Sequence, residues 1–302
     1  MPKSTDKATA RVRRAFTGES QQAALAGIPR DGSIGLDTCL SAQRRLRALF
    51  ALGLLNRGYG PTAAPAASWG LHTLTAYSIT VSPRFERLVL ITDVPHNVAP
   101  YLLPRTDGVV SLPGLRLVEL RGNNSYVTHH LPTGAELIIT SDWNGRWTGP
   151  SRPAPHREFL QADTPLSERE TQQLAAVPEL SPESERLLAG LAVRMSLRNG
   201  NEWAIGNWFS DPLHRPGWLE SSGVDRYEKQ LAGTSDHWEL SWTGFPHRED
   251  VAASLTDPVA GVHGAVVHKT GDEVEIRLGR AVLALRGQSS PSRSGAQVGV
   301  RR

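Results

Sequence analysis

The feature that most constrains this fold is a change of hydrophobic period on either side of residues 59–68, YGPTAAPAAS. Before this segment, Leu46, Leu49 and Leu54 recur at helical spacing. After it, apolar residues alternate with polar ones, as in TLTAYSITVS at 73–82. Helices and sheets must therefore share the chain, and the Pro-, Ala- and Gly-rich segment indicates a linker between them.

Three short helices are predicted in the first sixty residues, at 7–16, 21–28 and 38–56. Ser20 and Asp37 are suited to cap the second and third helices, because their side chains can accept hydrogen bonds from free backbone amides. The third helix is amphipathic, and its apolar face requires a partner.

Five strands are predicted in the middle of the chain, at 73–82, 87–93, 115–121, 125–130 and 135–141. Turn residues at 122–124 and 132–134 separate the last three, which predicts an antiparallel meander. Three prolines and two glycines in 142–164 place a domain boundary there.

Helices and strands are mixed in the last third of the chain. A helix is expected to begin at Pro165, and another to run from Ser181–Pro182 to about residue 198. A strand at 237–243, a helix at 247–255 and strands at 273–278 and 281–285 follow. The sequence therefore predicts an α+β protein and shows no internal repeat. Its expected parts are a basic three-helix arm (1–58), an antiparallel β-rich domain (69–143), an α+β domain (164–287) and a disordered basic tail (288–302).

Cysteine content and hydropathy indicate the cellular compartment in which the protein resides. Cys39 is the single cysteine, so no disulfide can form within the chain, which suits a reducing environment. The first thirty residues lack the continuous apolar stretch of a secretory signal, and the run at 48–55 is too short to span a bilayer. We expect a cytoplasmic protein with no membrane contact.

Positive charge is concentrated at both ends. Residues 1–60 contain ten Lys and Arg against four Asp and Glu, and residues 286–302 contain four Arg and no acid. Clustered basic side chains attract phosphates, which predicts salt-sensitive, sequence-independent contact with nucleic acid. The residues expected to form this outward face are Arg11, Arg13, Arg14, Arg44, Arg45 and Arg47.

Sequence motifs of common enzymes are missing. The P-loop, the nucleophile elbow and the zinc motif His-Glu-x-x-His do not occur, and no cofactor or metal ion is predicted. The nearest approach to a catalytic group is Asp93 with His96 at the end of a strand, with His130 or Asp142 as further candidates from neighbouring strands. The same residues also suit a turn.

Five tryptophans lie within forty residues: Trp203, Trp208, Trp218, Trp238 and Trp242. Trp238 and Trp242 share one face of a predicted strand, which favours a buried role. Trp203 and Trp208 fall in a loop-like stretch and are more suited to an exposed binding surface.

One segment resembles known sequences. ARVRRAFTGESQQAAL, at 10–25, is similar to segments near the start of proteins encoded on actinobacterial plasmids and mobile elements, a group that implies no particular activity. The leading hypothesis is a non-enzymatic accessory or regulatory protein that engages nucleic acid or a protein partner through its basic N-terminus. The alternatives are a metal-assisted hydrolase or nuclease near Asp93 and His96, and an assembly protein that oligomerises through its N-terminal helices.

Overall fold

The computed structural model describes residues 4–56, 69, 71, 74, 77–108, 111–122, 125–143, 151–152, 158–197, 229–242 and 246–287. Its helices are α1 (Ser4–Thr17), α2 (Gln21–Ala26), α3 (Ser41–Leu54), α4 (Pro95–Val98), α5 (Glu168–Ala175), α6 (Pro182–Arg194) and α7 (Arg248–Leu255). Its strands are β1 (Thr80–Pro83), β2 (Arg87–Ile91), β3 (Leu115–Arg121), β4 (Ser125–His130), β5 (Ala135–Thr140), β6 (Ser151–Arg152), β7 (Lys229–Thr234), β8 (His237–Trp242), β9 (Val266–Thr270), β10 (Glu273–Leu278) and β11 (Ala281–Arg286). The predicted α+β class is confirmed.

The strands form two mixed sheets with the same topology. The first sheet has the order β1-β2-β5-β4-β3-β6, and the second has the order β7-β8-β11-β10-β9. In each, an antiparallel hairpin joins a three-stranded antiparallel meander through one parallel pair, β2 with β5 and β8 with β11. The predicted meander at 115–141 is present, and the parallel pair makes the sheet mixed rather than antiparallel.

The helices complete an internal duplication. The first unit comprises α3, β1, β2, α4, β3, β4 and β5, and the second comprises α6, β7, β8, α7, β9, β10 and β11. The order of elements is helix, hairpin, helix, meander in both. The chain is therefore built from two units of one topology, a repeat that its sequence does not reveal.

The two units exchange equivalent contacts. Asn56, just after α3, donates to the Leu231 carbonyl and accepts from the Leu231 amide, so it pairs with β7 of the second unit (3.0 and 3.2 Å). Ser196, just after α6, accepts from the Val81 amide of β1 in the first unit (2.8 Å). Reciprocal contacts of this kind are typical of a twofold interface.

One apolar core connects the sheets. α3 packs on β2 and β5, α6 packs on β10 and β11, and the two helices pack against each other. The predicted apolar face of the third helix, Leu46, Leu49, Phe50 and Leu54, is buried in this core. Its partner is α6, so this face is not available for oligomerisation.

The N-terminal helices cover the outer face of the first sheet. Ala23 of α2 lies in a separate apolar cluster with Val89, Ile91 and Ile138, whose neighbours along the strands face the central core. The prediction of a three-helix arm at 1–58 is thus only loosely met, because α3 belongs to the core and α1 and α2 are docked on a sheet.

Several predicted boundaries are corrected. Ser167, not Pro165, precedes the helix, because Ser167 and Glu170 form a reciprocal capping box. The first strand covers only Thr80–Pro83 of the predicted 73–82. β7 and β9 were not predicted, and β9 is exposed along its whole length, so it lacks the alternation that signals a strand. The linker at 59–68 and the tail at 288–302 lie outside the described residues.

Candidate functional site

Buried arginines hold the segment that leads into α3. Arg13 Nη1 donates to the carbonyl oxygens of Gly27 (3.0 Å), Ile34 (2.9 Å) and Gly35 (3.2 Å). Arg13 Nη2 donates to the Pro83 carbonyl of β1 at 2.8 Å. One side chain thus joins α1, the segment before α3 and the first sheet.

The charge of Arg13 is balanced by Glu19. The two groups form a bidentate ion pair, with Nε to Oε2 at 2.7 Å and Nη2 to Oε1 at 3.0 Å, and both side chains are fully buried. Burial by itself would raise the pKa of Glu19, but the Arg13 charge and its hydrogen bonds outweigh burial and lower it. Both groups are therefore charged in the folded protein.

Arg194 of α6 has a similar structural role in the second unit. It pairs with both Asp37 oxygens (2.7 and 2.9 Å) and donates to the Ala260 and Gly261 carbonyls (2.7 and 2.6 Å). These bonds fasten the segment before α3 to the loop that follows α7.

Arg47 of α3 is buried without a carboxylate partner among the described residues. Its Nη1 donates to the Leu36 carbonyl at 3.3 Å and its Nη2 to the Arg84 carbonyl at 2.7 Å, while its buried Nε has no hydrogen-bond partner. Burial lowers the pKa of the Arg47 guanidinium, and neighbouring Cys39 and Asp37 act in the opposite direction. A buried cation with an unused donor is costly unless an anion reaches it.

Arg47 and Arg194 contribute to the lining of a cavity of about 830 Å³ between the two units. Its walls are the segment 31–39, one face of α3, one face of α6 and the loop 256–265. The volume lies within the range of about 300 to 1,000 Å³ that is usual for small-molecule sites. The charged residues of the lining are Asp31, Asp37, Arg44, Arg47, Arg186, Arg194 and Asp257.

The three carboxylates of the cavity are already engaged. Asp31 accepts from the Ser33 amide and the Thr38 hydroxyl, Asp37 binds Arg194, and Asp257 accepts from two backbone amides of its own loop. Because these carboxylates accept hydrogen bonds from the cavity walls, their oxygens are less available to bind a cation.

The lining carries a small positive excess, with four arginines against three aspartates. No carboxylate of the described residues lies within ion-pair distance of Arg44, Arg47 or Arg186. Glu185 of α6 pairs with Arg45 at 3.7 Å, and the charges of Arg45 and Arg44 both oppose the rise in the pKa of Glu185 that burial causes. Arg47 is 1% exposed, so the guanidiniums that the cavity presents to a ligand are those of Arg44 and Arg186.

The predicted outward face of six arginines is wrong for two of its members. Arg13 and Arg47 are at most 1% exposed and serve as internal donors. Arg11 and Arg14 are exposed on α1, and Arg44 and Arg45 are half-buried on α3. The arrangement was missed because every arginine of an N-terminal helix was assumed to face solvent.

The groups proposed for a metal-assisted site do not come together. Asp93 follows β2 and Asp142 follows β5, which end side by side where Ile91 pairs with Thr140. His130 is at the opposite end of β4, roughly 17 Å away at about 3.4 Å per residue.

Asp93 and His96 are both exposed, and Asp93 accepts a hydrogen bond from Trp143 Nε1 at 3.0 Å. Within the described part of the chain, no three His, Cys, Asp or Glu side chains converge as metal ligands do.

His130 has a structural role instead. It is fully buried, with Nδ1 2.9 Å from the Thr133 hydroxyl and Nε2 3.0 Å from the Pro113 carbonyl. Nε2 therefore carries the proton, and Nδ1 accepts from the hydroxyl. Burial lowers the pKa of His130 to about 4, so the ring is neutral at physiological pH.

Two of the five clustered tryptophans are in the described residues. Trp238 and Trp242 are buried in the second sheet, as predicted, and their ring nitrogens donate to the Ser235 and Pro246 carbonyls. Trp203, Trp208 and Trp218 lie outside the described residues.

Comparison with known proteins gives no relative. No protein-family model, curated protein or solved structure matches the chain. Of the helices in the described segments, none has the length and apolar character needed to cross a membrane.

Proposed function

We propose that this is a non-enzymatic accessory or regulatory protein that binds an anionic ligand in the cavity between its two units. The observation that carries the proposal is that Arg44 and Arg186 line the cavity and have no carboxylate within ion-pair distance among the described residues. Guanidinium groups offer paired donors that match the oxygens of carboxylates and phosphates.

The surroundings of these arginines favour binding over catalysis. Asp31, Asp37 and Asp257 accept hydrogen bonds from the cavity walls, which leaves them poorly placed to accept a proton from a substrate. Fixed walls around the accessible guanidiniums of Arg44 and Arg186 form a preorganised receptor for an anion.

Calorimetric titration with inorganic phosphate at low ionic strength tests the proposal. We expect Arg44→Gln to weaken binding at least tenfold, because it removes one of the two accessible cationic groups of the cavity. Arg45→Gln is the matched control, since Arg45 is the next residue on α3, is also half-buried and is not part of the lining. No binding by the unaltered protein, or equal losses in both variants, would contradict the proposal.

A second candidate function is sequence-independent contact with nucleic acid through α1. The supporting observation is that Arg11 and Arg14 are both exposed on this helix. Removing residues 1–60 is not a useful test, because it deletes α3 from the core.

The substitution pair Arg11→Gln and Arg14→Gln is the appropriate variant for this second function. Duplex DNA binding at two salt concentrations should fall in the pair and be unchanged in Arg44→Gln. Unchanged DNA binding in the pair would reject this function.

A further inference from the structure

The strand β9 forms the outer edge of the second sheet, and the internal duplication indicates what should pair with it. In the first sheet the equivalent edge is β3, which pairs with the two-residue strand β6. In the second sheet, no strand of the described residues lies beyond β9. The edge of a sheet carries amides and carbonyls that readily accept a further strand, so this edge is a site for strand addition.

The register of the first sheet predicts which residues of the second unit are equivalent to β6. A row of paired residues crosses the first sheet from Ile139 of β5, through β4 and β3, to Arg152 of β6. The equivalent row of the second sheet runs from Leu285 of β11, through β10, to Lys269 of β9. Arg152 is 13 positions after Ile139, and the residue 13 positions after Leu285 is Val298.

The sequence around Val298 has the pattern of a strand. Within residues 288–302, the aliphatic side chains are those of Ala296, Val298 and Val300. They recur at every second position, which is the period at which strand residues share one face.

The hairpin between β9 and β10 determines which backbone groups of β9 face outward. Its loop has two residues, so Thr270 and Glu273, which flank the loop, exchange both of their hydrogen bonds. Bonded and non-bonded pairs alternate along an antiparallel ladder, so the amides and carbonyls of Val267 and Lys269 point away from β10. With Val298 opposite Lys269, the next valine, at position 300, is opposite Val267 and also meets outward-facing groups.

The same register places both valines on the core-facing side of the sheet. Val267 and Lys269 are cross-strand neighbours of Ile276 and Val274, which are buried in the core. Because directly opposite residues share a face, Val300 would extend this apolar face beside Val267, which is 42% exposed. A shift of one residue would turn both valines to the opposite face.

We propose that residues 297–301 pair antiparallel with β9, with Val298 opposite Lys269, and complete the second sheet as β6 completes the first. The occupant of this strand-addition site is thus a segment of the same chain. Its pairing also prevents the edge from joining the sheet of another molecule.

Hydrogen–deuterium exchange of single amides, followed by NMR on the full chain, tests the proposal. We expect the amides of Val267 and Lys269 to be protected in the unaltered protein. Val298→Pro should speed their exchange at least tenfold, because proline has no amide to donate to the Lys269 carbonyl. Ser292→Pro is the matched control, since position 292 precedes the paired residues, and it should leave both rates unchanged.

The amides of His268 and Thr270 report whether the sheet itself is intact. Both point toward β10, so they should stay protected in every variant. Equal acceleration of these amides in Val298→Pro would contradict the proposal, because it would show a general loss of the sheet.

The other outcomes identify a different occupant or none. Free exchange of Val267 and Lys269 in the unaltered protein would overturn the proposal, because no strand would then cover the edge. Protection that survives Val298→Pro would assign the edge to another segment, and protection that appears only at high protein concentration would assign it to a second copy. Either result would contradict the proposed pairing.

Discussion

The two sheets share one topology but differ in what covers their outer faces. On the first sheet, α2 packs over Val89, Ile91 and Ile138, and Arg13 of α1 bonds to β1. On the second sheet, the corresponding face carries exposed ion pairs, such as Arg286 with Glu239 at 3.2 Å. The same arrangement of strands therefore supports a doubly buried sheet in one unit and a half-solvated sheet in the other.

The outer faces of the sheets differ in how they accommodate charge, although the second unit has its own buried arginine, Arg194, paired with Asp37. Beside the first sheet, the Arg116–Glu170 ion pair (2.7 Å) is buried, and Arg116 also donates to backbone carbonyls. Burial would raise the pKa of Glu170, yet hydrogen bonds from Arg116 and from the Ser167 and Gly114 amides lower it to about 2. Breaking a buried pair should thus cost far more than breaking an exposed one.

The largest expected effect comes from Arg13→Met. This change leaves the Glu19 carboxylate buried without its partner, so we expect the free energy of unfolding to fall by about 4 kcal/mol. The matched control is Arg277→Met, which breaks the exposed pair with Glu275 on the second sheet and should cost no more than about 1 kcal/mol. Urea denaturation at pH 7 measures both.

A double variant distinguishes the cost of the unbalanced charge from a general failure to fold. Combining Arg13→Met with Glu19→Gln removes the unbalanced charge and should recover part of the lost stability. Equal costs for Arg13→Met and Arg277→Met would show that the contrast between the two sheets is not energetic.

An intermediate effect is expected from Ile138→Ala. Ile138 is fully buried on the outer face of the first sheet, so its truncation should cost about 3 kcal/mol through lost burial and a residual cavity. Val282, at an outer-face position of the second sheet, is half-buried, and Val282→Ala should cost no more than about 1 kcal/mol. Thermal unfolding of the two variants gives the comparison, and a larger loss for Val282→Ala would overturn it.

The smallest effect is a pH dependence confined to the first unit. The folded-state pKa of His130 is about 4, below the ordinary value of 6.5, so the unfolded chain takes up the proton first as pH falls. The contribution of His130 to stability is complete above pH 6.5 and is lost progressively toward pH 4. Between pH 7 and pH 5 it should fall by about 2 kcal/mol.

Denaturant unfolding of His130→Gln at several pH values isolates this contribution. The variant should be less stable at pH 7, yet its stability should decline about 2 kcal/mol less between pH 7 and pH 5. Parallel pH curves for the variant and the unaltered protein would exclude His130 as the source.

Sequence patterns were sufficient for the elements whose two faces differ. β8 alternates between buried and exposed positions, and β3 and β4 are bounded by turn residues, so their predicted limits agree closely with the observed ones. β9 is exposed on both faces, and its composition therefore carries no such signal. The duplication was also hidden, because the two units preserve an order of elements rather than particular residues.

The candidate site was beyond prediction for a different reason. Its walls come from 31–39, 44–47, 186–194 and 256–265, and only the packing of α3 on α6 brings them together. The burial of Arg13 depends on carbonyls as distant in sequence as that of Pro83. The one signal of this burial that is local in sequence is Glu19, an acidic residue six positions after Arg13 that forms an ion pair with it.

The packing of α3 against α6 has a consequence for the order of synthesis. Chains emerge from the ribosome at about 5 to 20 residues per second, so α3 waits roughly 7 to 30 s before α6 is made. During that time the strands of the first unit can pair, but the α3 face that includes Leu46 and Phe50 has no α6 to cover it. An incomplete chain therefore carries an apolar helix face that is covered only once α6 has been synthesised.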